Sequence, residues 1–368
     1  MKGRTIREHG RLGRIALGSA MIALLAACQD TPPTGVGGAP LCDLDSDLLI
    51  SSLAPNAIPA LNEPPMVAPD DPTVDYLRES DRVLGVVVEG EARAYPHNIF
   101  WWHEIVNDRI GDTWISLTFC PLTGSGLGFD PELEGFGRLD LGVSGLLFAN
   151  NLVMYDRDSE AVYGPQLSVE GSCETFQDRS LELRAVQEMS WARWKALHPD
   201  TRVVSGDLQR GRNYQLYPYG SYDDLTSNEL LFPMSVDRTR HIKERVLAIR
   251  VGKNGKGYPF LELAELGSVV ALNETVGGVP TAVFFEEGDG MAALAFDARV
   301  DGQTLTFAAD PDAGVWIDDE TGSTWTFGGD AIDGPLAGSR LTPRADAYTL
   351  FWFAWRHFQP SAGVFEAG

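Results

Sequence analysis

Short apolar runs separated by Gly- and Asp-rich turns recur along nearly the whole chain, a pattern that predicts strands rather than long helices. The runs at 83–88 and 92–95 flank Glu89-Gly90-Glu91 and predict a hairpin turning at Gly90. Thr113-Trp-Ile-Ser-Leu-Thr-Phe119 alternates and is rich in β-branched and aromatic residues, and further short strands are expected at 126–129, 139–144, 146–149 and 152–155. A second series follows at 245–251, 281–285, 292–296, 303–308 and 314–317. Helical periodicity is brief and falls at 98–105, 190–197, 260–266 and 347–357. The expected class is mainly β with a few short helices (α+β), built as two pseudo-symmetric, sandwich- or barrel-like repeat domains.

The two series are copies. Val83-Leu84-Gly85 through Tyr95-Pro96 returns as Val246-Leu247-Ala248 through Tyr258-Pro259, and Gly128-Phe129-Asp130 returns as Ala295-Phe296-Asp297. Trp191-Ala192-Arg193-Trp194 returns as Trp352-Phe353-Ala354-Trp355. Self-similarity at this distance means two related supersecondary units in one chain. It also sorts residues, because positions shared by both copies are scaffold and those confined to one are candidates for chemistry. His97 corresponds to Phe260 and Cys120 to Glu286, which places the candidates in copy one.

The N-terminus has its own logic. Lys2, Arg4, Arg7, Arg11 and Arg14 precede an apolar stretch, 15–27, that is too short to span a bilayer and ends in Leu25-Ala-Ala-Cys28. This resembles a lipoprotein signal, cut before Cys28 so that the cysteine carries the lipid, and two or more acyl chains anchor a protein stably. The Pro/Gly-rich residues that follow read as a tether. The expected division is 1–27 signal, 28–55 tether, 56–205 repeat domain one, 206–245 aromatic connector and 246–368 degenerate repeat domain two. The implied location is the cell envelope, at the outer membrane facing the periplasm if the cell has two membranes. The membrane is then a partner through the anchor, with a periplasmic redox partner or an envelope protein as the other candidate.

Net charge is −23 over the 368 residues. Residues 1–27 contain five basic residues and one acid, so their removal takes it to −27. Such a surface repels nucleic acid. With Cys28 committed to lipid, Cys42, Cys120 and Cys173 remain, and an oxidising compartment favours one disulfide and one free thiol. Cys42 and Cys173 lie in irregular polar segments with no neighbouring base, which predicts a 42–173 bridge and a free, partly accessible Cys120.

The densest chemistry runs from Ala94 to Asp108, which contains His97-Asn-Ile-Phe-Trp-Trp-His103-Glu104, and then through Cys120-Pro-Leu-Thr123-Gly124. With Asn56-Ala-Ile-Pro, Gly142-Val-Ser-Gly-Leu-Leu-Phe148, Met154-Tyr-Asp-Arg157 and His198-Pro-Asp-Thr-Arg-Val203, these motifs resemble the bacterial family catalogued as Domain of Unknown Function 3179. The resemblance is close over 56 to about 245. Relatives commonly show Cys-Pro-Leu-Cys, some with selenocysteine at the second position, which implies thiol redox chemistry. Here Thr123 stands at that second position, so a dithiol mechanism lacks its partner.

From the residues themselves, Cys120 ends a strand at a Pro/Gly turn. Thr123 can hydrogen-bond the sulfur there, and His97 or His103 would lower the thiol pKa if close. This gives the leading expectation, a lipid-anchored thiol oxidoreductase centred on Cys120 with Thr123, His97 and His103 as helpers. The alternatives are a non-enzymatic envelope binding module, in which the aromatic cluster is packing, and a mononuclear metal site on His97, His103 and Cys120. The cofactor is left unknown by the sequence. Gly124-Ser-Gly-Leu-Gly128 leads into Phe129-Asp-Pro rather than a helix, so it is not a phosphate loop, and no serine stands in a Gly-x-Ser-x-Gly elbow. Asp156 and Arg157 read as a fixed turn-capping ion pair. Because Asp319 reverses the arginine's charge in copy two, Arg157 stays a candidate contact for an anionic ligand. Mass spectrometry of the native N-terminus is expected to find residues 1–27 gone and Cys28 acylated; an unmodified terminus elsewhere in 15–35 would contradict the lipoprotein reading.

Overall fold

The computed structural model describes residues 42–368 except 174, 253 and 289. The signal segment, Cys28 and most of the tether lie outside the described residues. The first hairpin joins β1 (Arg82–Val88) to β2 (Glu91–Pro96) through Glu89 and Gly90, both at positive φ, as a twist-matched two-residue turn requires. Helix α1 (His97–His103) follows without a break, then β3 (Ile105–Ile110), β4 (Thr113–Cys120) and β5 (Ser125–Phe129), paired in sequence order. A third sheet contains β6 (Leu141–Phe148) and β7 (Asn151–Asp156). The chain then returns to the first sheet as β8 (Gln187–Ser190), which pairs with β1, enters α2 (Trp191–Leu197) and adds β9 (Arg202–Val204) parallel to β2.

The second series repeats this plan. β10 (Arg245–Val251) and β11 (Asn254–Pro259) pair in the register of β1 and β2, with Val246 opposite Pro259 as Val83 is opposite Pro96. Helix α3 (Phe260–Leu266), β12 (Val269–Val276), β13 (Val279–Glu286) and β14 (Ala292–Asp297) follow, then β15 (Phe307–Asp310) and β16 (Val315–Asp318). β17 (Ala347–Phe351) pairs with β10, leads into α4 (Trp352–Phe358), and β18 (Gly363–Val364) runs parallel to β11. Trp191 N–H donates to Asp81 O at 2.7 Å and Trp352 N–H to Glu244 O at 2.8 Å, the same contact in each copy.

The mainly-β class with four short helices is as expected, and the described sheets are open layers with no closed barrel. Three local expectations change. Residues 347–351 form a strand before α4 rather than its first turn, since Ala-Tyr-Thr-Leu-Phe pairs along β10. The runs 139–144 and 146–149 are one strand, bulged where Gly145 takes φ 81° against the Leu53 carbonyl. β3 and β12 were not anticipated.

The copies exchange their tryptophans. Trp191 and Trp194 of α2 share a core with Phe284, Phe296, Trp316 and Trp325 of the second copy. Trp352 and Trp355 of α4 share one with Leu127, Leu141, Met154 and Tyr163 of the first. Residues 206–243 contain no helix or strand, yet Tyr222 and Ile242 are buried in the second of these cores and Tyr214 in a third with Leu84, Ile99 and Phe100. Both exchanges depend on a glycine. A Cβ at Gly85 would stand 2.1 Å from the Trp194 ring, and one at Gly257 would stand 2.4 Å from Trp355 Nε1. Their cross-strand partners, Ala94 and Ala248, are small too. Gly85→Val and Gly257→Val are each expected to destabilise the protein by about 1–3 kcal/mol through overpacking, read as a lower urea midpoint; an unchanged midpoint would mean the indoles are not seated so closely.

Candidate functional site

Cys120 closes β4, and the Pro121–Gly124 turn brings Ser125 back opposite it. The turn is roofed from the second copy. Phe351 N–H donates to Thr123 O at 2.9 Å, and the Phe351 ring lies 2.8 Å from where a Cβ on Gly124, at φ 59°, would point. Beneath it the hydroxyls of Thr123 and Ser125 are 2.8 Å apart. Asn151 Nδ2 donates to Thr123 Oγ1, Ser125 Oγ to Gln166 Oε1, and Gln166 Nε2 to Thr118 Oγ1. All five side chains are fully buried in a closed network.

Cys120 is a free thiol, while Cys42 and Cys173 form a disulfide. The expectation of partial access for Cys120 is overturned: the residue is 1% exposed and its Sγ–H points to Asn150 O at 3.5 Å. Burial pushes the thiol pKa up to about 11, with Glu104 adding to the rise; the hydroxyl and amide of Thr123 pull the other way and are outweighed.

Neither histidine serves the thiol. Successive side chains of a strand point to opposite faces. Phe119 packs with Leu84, Ile99 and Phe100, whereas Cys120 packs with Leu122, Leu127 and Leu141. The His97 ring lies 3.9 Å from that of Phe119 and so belongs to the face away from the sulfur. His103 is held elsewhere, with Nδ1 2.7 Å from Pro59 O and Nε2 2.8 Å from the Tyr214 hydroxyl. Burial lowers its pKa to about 4. The metal set of His97, His103 and Cys120 is therefore not assembled, and no group of three potential ligands occurs among the described residues.

The groups that do surround Cys120 are Glu104, Tyr217, Tyr219 and Tyr222. Glu104 caps α1 at φ 54° and is 5% exposed; burial raises its carboxyl to about 8, opposed by a hydrogen bond from Tyr219. Tyr222 Oη donates to Leu122 O at 2.9 Å, and Asn150 is bonded through both side-chain atoms to the backbone of Phe232. The three tyrosines belong to the connector, which covers the thiol. Their sequence signal was aromatic content alone, which marks packing and not the target.

An open site lies at the far end of β4. A cleft of about 230 Å³ is floored by Asn107, Ile115, Ser116 and Leu139 and rimmed by Asn62, Glu63, Trp114, Arg138, Asp140 and Asp158. Ser116 Oγ donates to Asn107 Oδ1 at 2.6 Å, Asn107 Nδ2 to Leu141 O at 2.8 Å, and Asn62 Nδ2 to Asp140 Oδ1 at 3.1 Å. The Arg138 guanidinium lies 3.7 Å over the Trp114 ring. Arg157 stands behind this rim. Its ion-pair partner is Asp140, not Asp156, which instead caps the turn at Ser159. With its charge matched by Asp140 and its Nη2 also on Asn62, Arg157 does not offer a free cation to an anionic ligand.

A family model described as "Protein of unknown function (DUF3179)" matches residues 55–362. The chain belongs to this family. The family match runs from before β1 to past α4, so the unit it describes is the whole duplicated fold, second copy included. No curated protein and no solved structure matches the chain.

Two measurements follow from the sealed thiol. An aromatic disulfide reagent is expected to leave Cys120 untouched in the native protein and to titrate one thiol of the described residues after unfolding; rapid native labelling would contradict the burial. Glu104, with a folded pKa of about 8 against an ordinary 4.5, holds a proton that the unfolded chain releases between those values. Its contribution is complete below pH 4.5 and is lost as pH rises through 8. Glu104→Gln is expected to flatten the fall in stability between pH 5 and 8, measured by urea unfolding across that range.

Proposed function

We propose that the protein is an exported, lipid-anchored binding protein of the cell envelope, and that the Asn107–Asp140 cleft is its ligand site. The observation that carries this reading is the contrast between that cleft and the thiol. The cleft is open and its polar groups are held in place by hydrogen bonds to one another, whereas Cys120 is buried with its thiolate disfavoured. Preformed concave sites with a few fixed polar groups are what small-ligand binding requires. The Cys42–Cys173 disulfide supports export, since such bonds persist in oxidising compartments.

The rim carries Glu63, Asp140 and Asp158 against Arg138, with Arg157 matching Asp140. That balance disfavours an anion and suits a hydroxyl-rich neutral ligand or a cationic one. The test is a thermal-shift and calorimetric screen of neutral saccharides, polyamines and dicarboxylates on the processed protein. Neutral or cationic members are expected to bind, dicarboxylates are not, and Asn107→Ala is expected to weaken binding about tenfold, the loss of one good hydrogen bond. Binding of dicarboxylates alone, or binding indifferent to Asn107, would overturn the assignment.

A further inference from the structure

The duplication brings two equivalent arginines together under one loop. Arg82 opens β1 and Arg245 opens β10, the same position in each copy. Arg82 Nη1 donates to the carbonyls of Gly290 and Met291, each at 3.0 Å, and Arg245 Nη1 reaches Gly290 O at 3.2 Å. The Arg82 guanidinium acts on Arg245 as a like charge. Among the described residues one carboxylate makes contact with this pair: Glu188 Oε1 accepts from Arg82 Nε at 2.6 Å. Asp223, from the connector, faces Arg245 at longer range, and Lys243 stands behind Asp223. Among the described residues Arg245 forms no ion pair.

His97 completes the cluster, with Nε2 3.8 Å from Glu188 Oε1. It is neutral, because burial and the two arginines disfavour its charge. Three buried atoms here have no hydrogen-bond partner: Arg82 Nη2, His97 Nε2 and Glu188 Oε2. Their residues are 9%, 7% and 5% exposed. Buried polar atoms left without partners are rare and call for an occupant. Glu188 also lines a cavity of about 10 Å³ between the copies, room for one water. What remains is a pair of donors, Arg82 Nη2 and His97 Nε2 in its neutral Nε2–H tautomer, beside Arg245, which forms no ion pair among the described residues. Two guanidinium groups against one carboxylate in contact among the described residues leave net positive charge beside these donors, which an anion would offset.

We propose that Arg82, Arg245 and His97 form a binding site for a small monovalent anion of about the size of a water molecule, the chloride class, at the junction of the two copies. The near-complete burial of Arg82 and His97 favours a monatomic ion over phosphate or sulfate. The site is built by duplication yet specific to one side, since the second copy places Phe260 where the first has His97. It is separate from the Asn107–Asp140 cleft, and its test is independent of that reading.

The processed protein would be unfolded thermally in chloride-free methanesulfonate buffer at constant ionic strength while methanesulfonate is replaced by chloride or bromide. The midpoint is expected to rise with the logarithm of halide concentration, as for any ligand of the folded state. Arg245→Gln and His97→Phe, which copies the second repeat, should each weaken that dependence about tenfold or more. Arg82→Gln is less informative, because Arg82 also holds Glu188 and the 290–291 carbonyls. Crystals grown in bromide should show an anomalous peak touching Arg82 Nη2 and His97 Nε2. Absence of the peak, or a halide effect identical in Arg245→Gln, His97→Phe and the parent protein, would overturn the proposal and leave water as the partner of these atoms. A peak without any halide effect on stability would mark an adventitious ion only, and would overturn it equally.

Discussion

The fold depends on a reciprocal exchange of indoles across the two copies. Trp194 sits against Gly85 and Trp355 against Gly257, at distances that leave no room for a side chain below the ring. The pairs Gly85–Ala94 and Ala248–Gly257 are cross-strand partners at equivalent register, with the glycine on opposite strands of the two hairpins. Each copy therefore needs one residue without a Cβ in its hairpin, and either strand can supply it. The tryptophans beside these glycines extend into cores made largely by the other copy. Neither copy can then complete its core alone, and the family match covers both together. Close packing of this kind transmits any change of volume at the contact.

Burial by the partner copy and the connector decides the chemistry of the first repeat. His97, His103, Glu104 and Cys120 are the titratable groups that motif reasoning selects, and desolvation is the largest influence on each. In every case it favours the neutral form. A thiol, an acid and two imidazoles, all uncharged, make a poor nucleophilic centre. The hydrogen bonds agree: Thr123, Ser125, Gln166 and Asn151 serve one another, and His103 joins the 59–60 segment to the connector through Pro59 and Tyr214. The surface charge of this acidic chain is a separate matter, concerned with solubility more than with the site.

Much of the architecture was legible because it rests on local patterns. The β1–β2 hairpin, β4, β5, β7 and α3 follow directly from alternation, turn glycines and the repeat. β3 was not, because Asn107 and Asp108 break its apolar run. Both are buried and satisfied by distant groups: Asp108 accepts from Tyr95 and Arg93, while Asn107 is bonded to Ser116 and Leu141. The strand at 347–351 was masked by the helix that follows it, although its counterpart, Gln187–Ser190 before Trp191, already pointed to a strand. The cover over Cys120 left only its aromatic content as a signal, since residues 206–243 have no periodicity and their tyrosines find their partners only in three dimensions. The cleft was invisible for a related reason. Asn62, Asn107, Asp140 and Arg157 come from four separate segments and meet only through sheet pairing.

The comparison of copies was a sound guide to where divergence lies and a poorer guide to what it means. A residue found in one copy can be unique because it performs chemistry or because its environment is unique. Cys120 and Glu286 illustrate the second case. Glu286 forms an ion pair with Arg193 of the first copy at 2.9 Å, whereas Cys120 meets a connector for which the second copy has no equivalent among the described residues. The reverse inference also holds, because residues common to both copies need not be mere scaffold. Arg82 and Arg245 are identical by repetition, and repetition is what sets two like charges beside one carboxylate. A duplicated fold inherits such coincidences wherever equivalent positions face each other across the junction, and neighbouring carboxylates such as Glu188 and Asp223 then bear on the pair. Here neither arginine was replaced.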